Sequence, residues 1–496
     1  MGINQLAGTL TIIAVVTCCT FAYRFGKQGD YNKALFFIVL SGLVLRLSSG
    51  MFFFLDAWDE RYHALVAKNM LAHPFIPTLY DHPALDYDYR SWINNHVWVH
   101  KPPVTLWLIA ASLKLFGINE IAVRLPSILL SSIGIVFTFY IARFFFDERT
   151  ALLASFFHAI NGLLVELATG RVPTDHVDTI FIFFVELGMF LVVYSMNHPS
   201  FLSLLLIGIA TGCAILTKSL PGMVVLAVYG VLLLQREFWK KALYQCGIVF
   251  FIACIVFIPW QIYIYFTFPQ EAAWENYFNT YKHIVEPLEG HDGTVLYQLL
   301  MIPRIFGELV FIPILLFFYM FYKKKLNSNV LALIMWFILP YLFFSFVATK
   351  MPGYVMISAP AIFIILSKMI MDLNEKTIGS SYRKLIIVLL ALLILLPIRY
   401  SLERVRPFRE IDRNPVWVQE LRMLGNKTGN VKAAVFNVEH SIEAMFYANV
   451  SAYPFIPNQA QVDEAMRRGF RVFIYDSPSI PFEIKTNVNV VILHHL

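Results

Sequence analysis

The sequence predicts an α-helical polytopic membrane protein that ends in a small α/β domain, and three observations predict it. Of its 496 residues, 58% are hydrophobic and only 15% charged, against about 25% charged in soluble domains. Apolar runs recur from Thr9 to Ile398, and crossing a bilayer takes ~20 such residues per helix. Beyond about residue 400 the pattern changes to short stretches that alternate between strand-like and helix-like. A soluble enzyme is excluded at this point, and helices are required because each span must satisfy its own backbone hydrogen bonds in lipid.

The apolar runs fall at 5–24, 34–55, 125–146, 150–168, 178–197, 200–216, 220–235, 243–267, 299–322, 329–348, 353–372 and 384–400, which predicts about twelve spans. The first run is expected to stay in the protein and not to act as a cleaved signal peptide. Met1 to Gln5 lacks the basic stretch of a leader, and no small-residue cleavage site precedes the loop from Arg24 to Lys33. Basic residues at Arg24, Lys27, Lys33, Arg143, Arg149, Arg236, Lys240, Lys241, Lys323 to Lys325, Arg383 and Lys384 fall on one side, which the positive-inside rule makes cytoplasmic. The net charge of +6 is accounted for in the same way, so nucleic acid is not expected as a partner. The five cysteines all lie in apolar runs without CxxC spacing or nearby histidines, so neither disulfides nor zinc is signalled.

Residues 1–400 are expected to form the membrane domain, with a long first extracytoplasmic loop at 56–124, and residues 401–496 the small α/β domain outside the membrane. In the loop, Glu60 to Leu71 reads as a short amphipathic helix. Val104 to Phe116 is apolar but too short to span, so it is expected to lie along the interface. In the tail, Lys432 to Val438, Arg471 to Tyr475 and Asn489 to Leu493 read as strands. His440 to Ala448 and Gln459 to Arg468 read as helices.

The polar residues that could carry chemistry gather on the non-cytoplasmic side. Asp59 and Glu60, in the run Asp56 to His63, leave a span together, and a carboxylate pair there can accept a proton from a hydroxyl or hold a sugar. The plain alternative is helix capping. Arg171 to Asp178 forms a second acid-bearing loop on the same face. Asp178 reads there as a residue of a wet loop, and Asp175 leaves both readings open. Lys101, Lys218 and Lys350 each precede a proline closely and break the charge trend of that face. Ammonium groups at membrane level can neutralise a leaving phosphate, whereas snorkelling to headgroups accounts for any one of them alone. Asp86 and Asp88 form a weak DxD, and His96 with His100 reads as a loop pair. No Walker loop, GxGxxG or GxSxG context is present.

Taken in order, these motifs resemble the GT-C membrane glycosyltransferases, in the protein O-mannosyltransferase superfamily branch that includes the lipid A aminoarabinose transferase. The pattern runs Leu45-Arg46-Leu47, Asp59-Glu60 with Tyr62, Lys101-Pro102-Pro103 with Trp107, Arg124-Leu125-Pro126, Arg171 to Asp175, Leu216-Thr217-Lys218, Pro259-Trp260, and Lys350 to Tyr354. The resemblance covers residues 35–370. It implies inverting transfer of a sugar from a polyprenyl-phosphate donor to a lipid, protein or glycan acceptor, at the periplasmic face of the inner membrane. It makes Asp59 the acid-base residue, with Glu60 and Asp175 placing donor or acceptor. Lys101, Lys218 and Tyr354 would hold the phosphate, with Arg171, Lys350 and Lys282 as further candidates. Members of the aminoarabinose branch often carry Glu before the Lys-Pro pair, where this chain has His100. Lys282 stands in a loop where relatives tend to place arginine. Phosphate is a competent leaving group, so no cofactor is required, and a divalent metal is compatible with the chemistry without being needed by it.

A transporter or lipid flippase is the main rival reading. It predicts charges or broken helices near the bilayer midplane and repeated halves, and the sequence shows neither. A catalytically inactive scaffold whose tail recruits partners is a third.

Overall fold

The computed structural model describes residues 2–91, 95–379 and 381–495. In chain order the helices begin α1 (Ile3–Lys27), α2 (Tyr31–Ser49), α3 (Asp59–Asn69), α4 (Pro103–Phe116), α5 (Glu120–Phe145), α6 (Glu148–Ile160), α7 (Gly162–Ala168) and α8 (Asp175–Asn197). They continue with α9 (Phe201–Lys218), α10 (Val224–Leu234), α11 (Trp239–Thr267), α12 (Pro269–Glu275), α13 (His283–Val285), α14 (Tyr297–Phe306), α15 (Phe311–Tyr322), α16 (Val330–Phe346), α17 (Ala359–Lys376) and α18 (Arg383–Val405). The tail adds α19 (Val416–Arg422), α20 (Leu424–Lys427), β1 (Ala433–Phe436), α21 (Ser441–Tyr447), β2 (Val450–Ala452), α22 (Gln459–Arg467), β3 (Arg471–Tyr475), α23 (Phe482–Lys485) and β4 (Val490–Leu493).

The chain is a multi-pass membrane protein. Among the described residues 8 helices are long and apolar enough to cross a bilayer, and up to 10 if two bent pairs each count as one span. The remaining two of the twelve expected runs, at 220–235 and 329–348, fold into shorter apolar helices that end in α10 and α16. The bent pairs have local causes. Between α6 and α7 the axis turns by 53° at Asn161, whose side chain caps α7 by accepting from Leu164 N at 3.1 Å. Between α14 and α15 it turns by 110°, where Gly307 takes φ 102, open at low cost only to glycine.

By contact the chain forms two units. The first comprises Met1–Gly50, Ser127–Tyr263 and Tyr277–Glu410. Its core is aliphatic and aromatic, built around fully buried residues such as Phe139, Phe157, Phe181, Phe317, Trp336 and Phe363. The apolar faces of α1, α11 and α18 stay largely outward, as lipid-facing helices do.

The second unit comprises Met51–Pro126, Ile264–Asn276 and Ile411–Leu496. Its sheet is parallel throughout, in the order β2-β1-β3-β4, with Ala434 opposite Ser451 on one side and Val472 on the other. β1 and β3 are buried along nearly their whole length, as central parallel strands are. One core joins Tyr62, Leu65, Tyr80 and Trp98 of the first loop to Phe436, Phe446 and Phe473 of the tail.

Candidate functional site

In the second unit α3 places two acids side by side and gives them different tasks. Glu60 is fully buried. Its carboxylate takes Arg124 Nε at 2.7 Å and Nη2 at 2.8 Å, and it also accepts from Asp56 N at 2.6 Å. Arg124 in turn donates to the Phe52 and Phe54 carbonyls at 2.6 and 2.7 Å and lies over the Phe52 ring. Glu60 is thus held as a clamp between Arg124 and the Asp56 backbone, whereas the resemblance gives it a part in placing donor or acceptor. Asp59, the first residue of α3, makes a looser pairing with Lys101 Nζ, 4.0 Å from Oδ2, and both side chains keep partial exposure. Of the carboxylate pair, Glu60 is the buried acid and Asp59 the partly exposed one.

Lys101 follows a loop that is held by the carboxylates of α12. His100 Nδ1 lies 2.6 Å from Glu275 Oε1, and the Tyr87 hydroxyl donates to Glu271. The His96 ring packs at a tilt against Tyr87, with centroids 4.1 Å apart. The weak DxD match is not a unit, because Asp86 pairs with Arg468 and Asp88 with Arg90. Residues 92–94, including the Asn94 that opens the histidine run, lie outside the described residues. No group of three His, Cys, Asp or Glu is disposed to hold a metal among the described residues.

Burial, and then the charge of Arg468, hold the His96 imidazole down to about 4, against ~6.5 in an unfolded chain. The unfolded chain thus binds more protons between those values, so this site's contribution to stability is complete above about pH 6.5 and is lost as pH falls through the window toward 4. The His96 ring resonances are expected to stay at their neutral positions from pH 8 to 5.5 in an NMR titration. A midpoint near 6.5 in the folded protein would contradict this.

In the first unit the head of α8 forms a second cluster, centred on a residue that the sequence seemed to place in a wet loop. Asp178 is buried and accepts from both Lys218 Nζ and Thr174 Oγ1, which corrects that expectation. Lys218 lies over the Tyr354 ring at 4.6 Å. A Cβ at Gly353 would stand 2.7 Å from Asp178 Oδ2, so glycine is what lets the Lys350 to Tyr354 turn approach this closely. Thr174 and Ser219, next to the acid and the base of this pair, have φ of 64° and 71°. Left-handed backbone at a β-branched residue is costly and tends to gather at functional sites. Asp175 is also fully buried, at the first position of α8, where Oδ1 accepts from His176 N. The His176 ring bonds Ser127 at 2.9 Å.

Three of the expected phosphate ligands have other visible occupations. Lys350 is buried and donates to the Phe344 and Ser345 carbonyls at 3.3 and 2.7 Å, capping α16. Arg171 donates to the Arg404 and Val405 carbonyls, both at 3.0 Å, capping α18. Cations commonly serve helix C-termini in this way. Lys282 pairs with Glu286 one turn away at 3.3 Å.

Sequence reasoning missed a buried polar knot inside the first unit. Glu186, halfway along α8, accepts from Thr138 Oγ1 at 3.0 Å and lies 3.3 Å from His158. Fully buried Arg46 donates to Ser131 and to the carbonyls of Gly42 and Ala159 at 2.9, 3.1 and 3.0 Å. The Ala159 carbonyl lies next to the break between α6 and α7, so the arginine satisfies backbone that the helix no longer serves. Only the isolated polar letters in apolar runs could have signalled this knot.

Residues 100–263 match the family model described as dolichyl-phosphate-mannose-protein mannosyltransferase. Over 88% of its length the chain superposes on the Archaeoglobus fulgidus oligosaccharyltransferase AglB in complex with an inhibitory peptide and a dolichol-phosphate (TM-score 0.59, 12% identity, 69% of that chain). It also superposes on Cupriavidus metallidurans ArnT bound to undecaprenyl phosphate (TM-score 0.58, 17% identity, 87% of each chain). The fold is GT-C. Among curated proteins, the GT-C chain is 28% identical to an uncharacterized protein of Aquifex aeolicus over 357 residues, 69% of this chain and 64% of that one. It is 26% identical to the undecaprenyl phosphate-alpha-4-amino-4-deoxy-L-arabinose arabinosyl transferase of Pseudomonas aeruginosa UCBPP-PA14 over 282 residues, 54% of this chain. The match spans about half (49%) of that transferase's length.

Proposed function

We propose that this GT-C protein is an inverting glycosyltransferase that moves a sugar from a polyprenyl-phosphate donor to a lipid, protein or glycan acceptor, at the periplasmic face of the inner membrane. The observation that carries the reading is the division of labour on α3. Glu60 and Arg124 fix the start of the helix, and this leaves Asp59 as a partly exposed carboxylate with a lysine 4.0 Å away. The acceptor hydroxyl attacks the anomeric carbon as the bond from that carbon to the phosphate oxygen breaks. Polyprenyl phosphate departs with the bonding electrons, Asp59 takes the hydroxyl proton, and the anomeric configuration inverts. The protein's remaining work is alignment and stabilisation of the phosphate charge, and no metal is needed for either. Lys218, set by Asp178 and Tyr354, is the group of the first unit best suited to a phosphate. Asp175 is assigned to placing the substrate.

Lys218→Met is expected to weaken binding of polyprenyl phosphate by roughly 10- to 100-fold, the worth of one charge-assisted hydrogen bond. Titration of the purified protein in detergent measures it. The Asp178→Asn/Lys218→Met double variant, which leaves no buried acid unpaired, separates lost binding from lost packing. Undiminished affinity in the double variant removes Lys218 from the phosphate site.

The function itself is tested by incubating purified protein with a panel of radiolabelled polyprenyl-phosphate sugars and membrane extract. Label arriving in lipid, protein or polysaccharide identifies the acceptor class. No transfer from any carrier, with the protein folded, sinks the enzyme reading in favour of a flippase or scaffold.

A further inference from the structure

Within the second unit, α21 of the C-terminal region packs on α3, the helix headed by Asp59. Two ties join them. Lys68 Nζ donates to the Met445 carbonyl at 2.6 Å, and Arg61 Nη1 lies 3.4 Å from Glu443 Oε1. The second tie is unusual as packing. Glu443 is 1% exposed, yet it meets the guanidinium through one long contact, and its Oε2 has no hydrogen-bond partner among the described residues. Its other polar neighbour is the His440 ring, 3.8 Å away and stacked on Trp417. A buried carboxylate so incompletely paired is a poor source of stability, and an uncharged side chain of similar size serves packing as well or better.

The charge has an evident use. Arg61 stands two residues from Asp59 and reaches the Tyr62 hydroxyl at 3.5 Å. That hydroxyl lies within electrostatic range of Arg61, Glu443 and Asp59 together. The Arg61 cation therefore belongs to the surroundings of the proposed acid-base residue, and Glu443 is the anion that balances it. We infer that Glu443 is a positioning residue of the Asp59 site: it holds the Arg61 guanidinium on α21, so that Asp59 keeps its basicity. This gives the C-terminal region a part in the reaction, and it rests on the glycosyltransferase reading.

The test uses the full-length protein in the transfer assay. Glu443→Gln keeps the shape and removes the charge, leaving Arg61 unbalanced beside Asp59. An added positive field favours the ionised acid and weakens it as a base. The expected result is a fall in kcat of at least tenfold with acceptor KM within threefold, and an acid limb of the kcat/KM profile displaced to lower pH. The Arg61→Gln/Glu443→Gln double variant removes both charges and is expected to recover most of kcat and return the limb. Lys68→Met cuts the other tie between the two helices without touching these charges, and is expected to stay within about twofold of wild type. Glu443→Gln at the wild-type rate overturns the inference. So does a loss shared equally by Glu443→Gln and Lys68→Met with the pH profile unmoved, which is what a purely structural role predicts. Absence of transfer by folded wild-type protein overturns instead the reading on which the inference rests.

Discussion

Asp59→Asn is expected to leave the protein folded and to lower sugar transfer to a hydroxyl acceptor by roughly 10²- to 10⁴-fold, the range that a positioned proton acceptor supplies. The fold should tolerate the change because the start of α3 is held by its neighbour. Glu60 takes the Asp56 backbone and the Arg124 fork, whereas the partly exposed Asp59 meets Lys101 at 4.0 Å, a kind of contact worth little to stability. Single-turnover transfer with saturating donor measures the loss, and it should fall on kcat more than on donor KM. The size of the effect also reports the acceptor. A phosphate acceptor arrives already ionised and needs no base, so the same variant should then lose far less. An undiminished rate with an alcohol acceptor would remove Asp59 from the chemistry.

What the sequence discloses of this fold follows from what lipid demands. A bilayer imposes length and apolarity on every span, so all twelve apolar runs coincide with helices or helix pairs, two of them shorter than the rest. The tail was legible for a similar reason: β1, β3 and β4 are buried stretches bounded by turns. β2, three residues at a sheet edge, offers no pattern to read.

Long-range pairing was not legible. Nothing local says that Tyr80 of the first loop will donate to the Ala452 carbonyl in the tail, or that the two segments will share one core. The candidate site divides in the same way. Asp59, Lys101 and Lys218 could be singled out because they stand beside span ends and prolines, and Tyr354 through the family resemblance. Asp178 could not, because its burial depends on Lys218, forty residues away, and on the absence of a side chain at Gly353. The partners of Glu60 and Lys350 were hidden for a related reason. A charged letter at a membrane surface looks available, and only the structure shows that Arg124 and the carbonyls ending α16 already occupy these two.

Arg124→Met is expected to carry the largest cost in stability of any single change near the site, about 3–5 kcal/mol, the usual result of removing one partner from a buried ion pair. Arg124 and Glu60 are both fully buried. The guanidinium is bidentate to the carboxylate and also serves two backbone carbonyls, Phe52 and Phe54, that have no helix or strand to satisfy them. Arg124→Lys should fare little better, because one ammonium cannot reproduce a planar fork that addresses four acceptors. Melting followed by tryptophan fluorescence in detergent gives the measurement, and the Glu60→Gln/Arg124→Met pair resolves its cause. If an unpaired Glu60 charge is the main penalty, the double variant melts well above Arg124→Met; if the orphaned carbonyls dominate, the two melt together. Either result preserves Glu60 as a structural clamp. Arg124→Met melting with wild type would show that the clamp holds nothing, and Glu60 would then return beside Asp59 as a group free to meet the substrate.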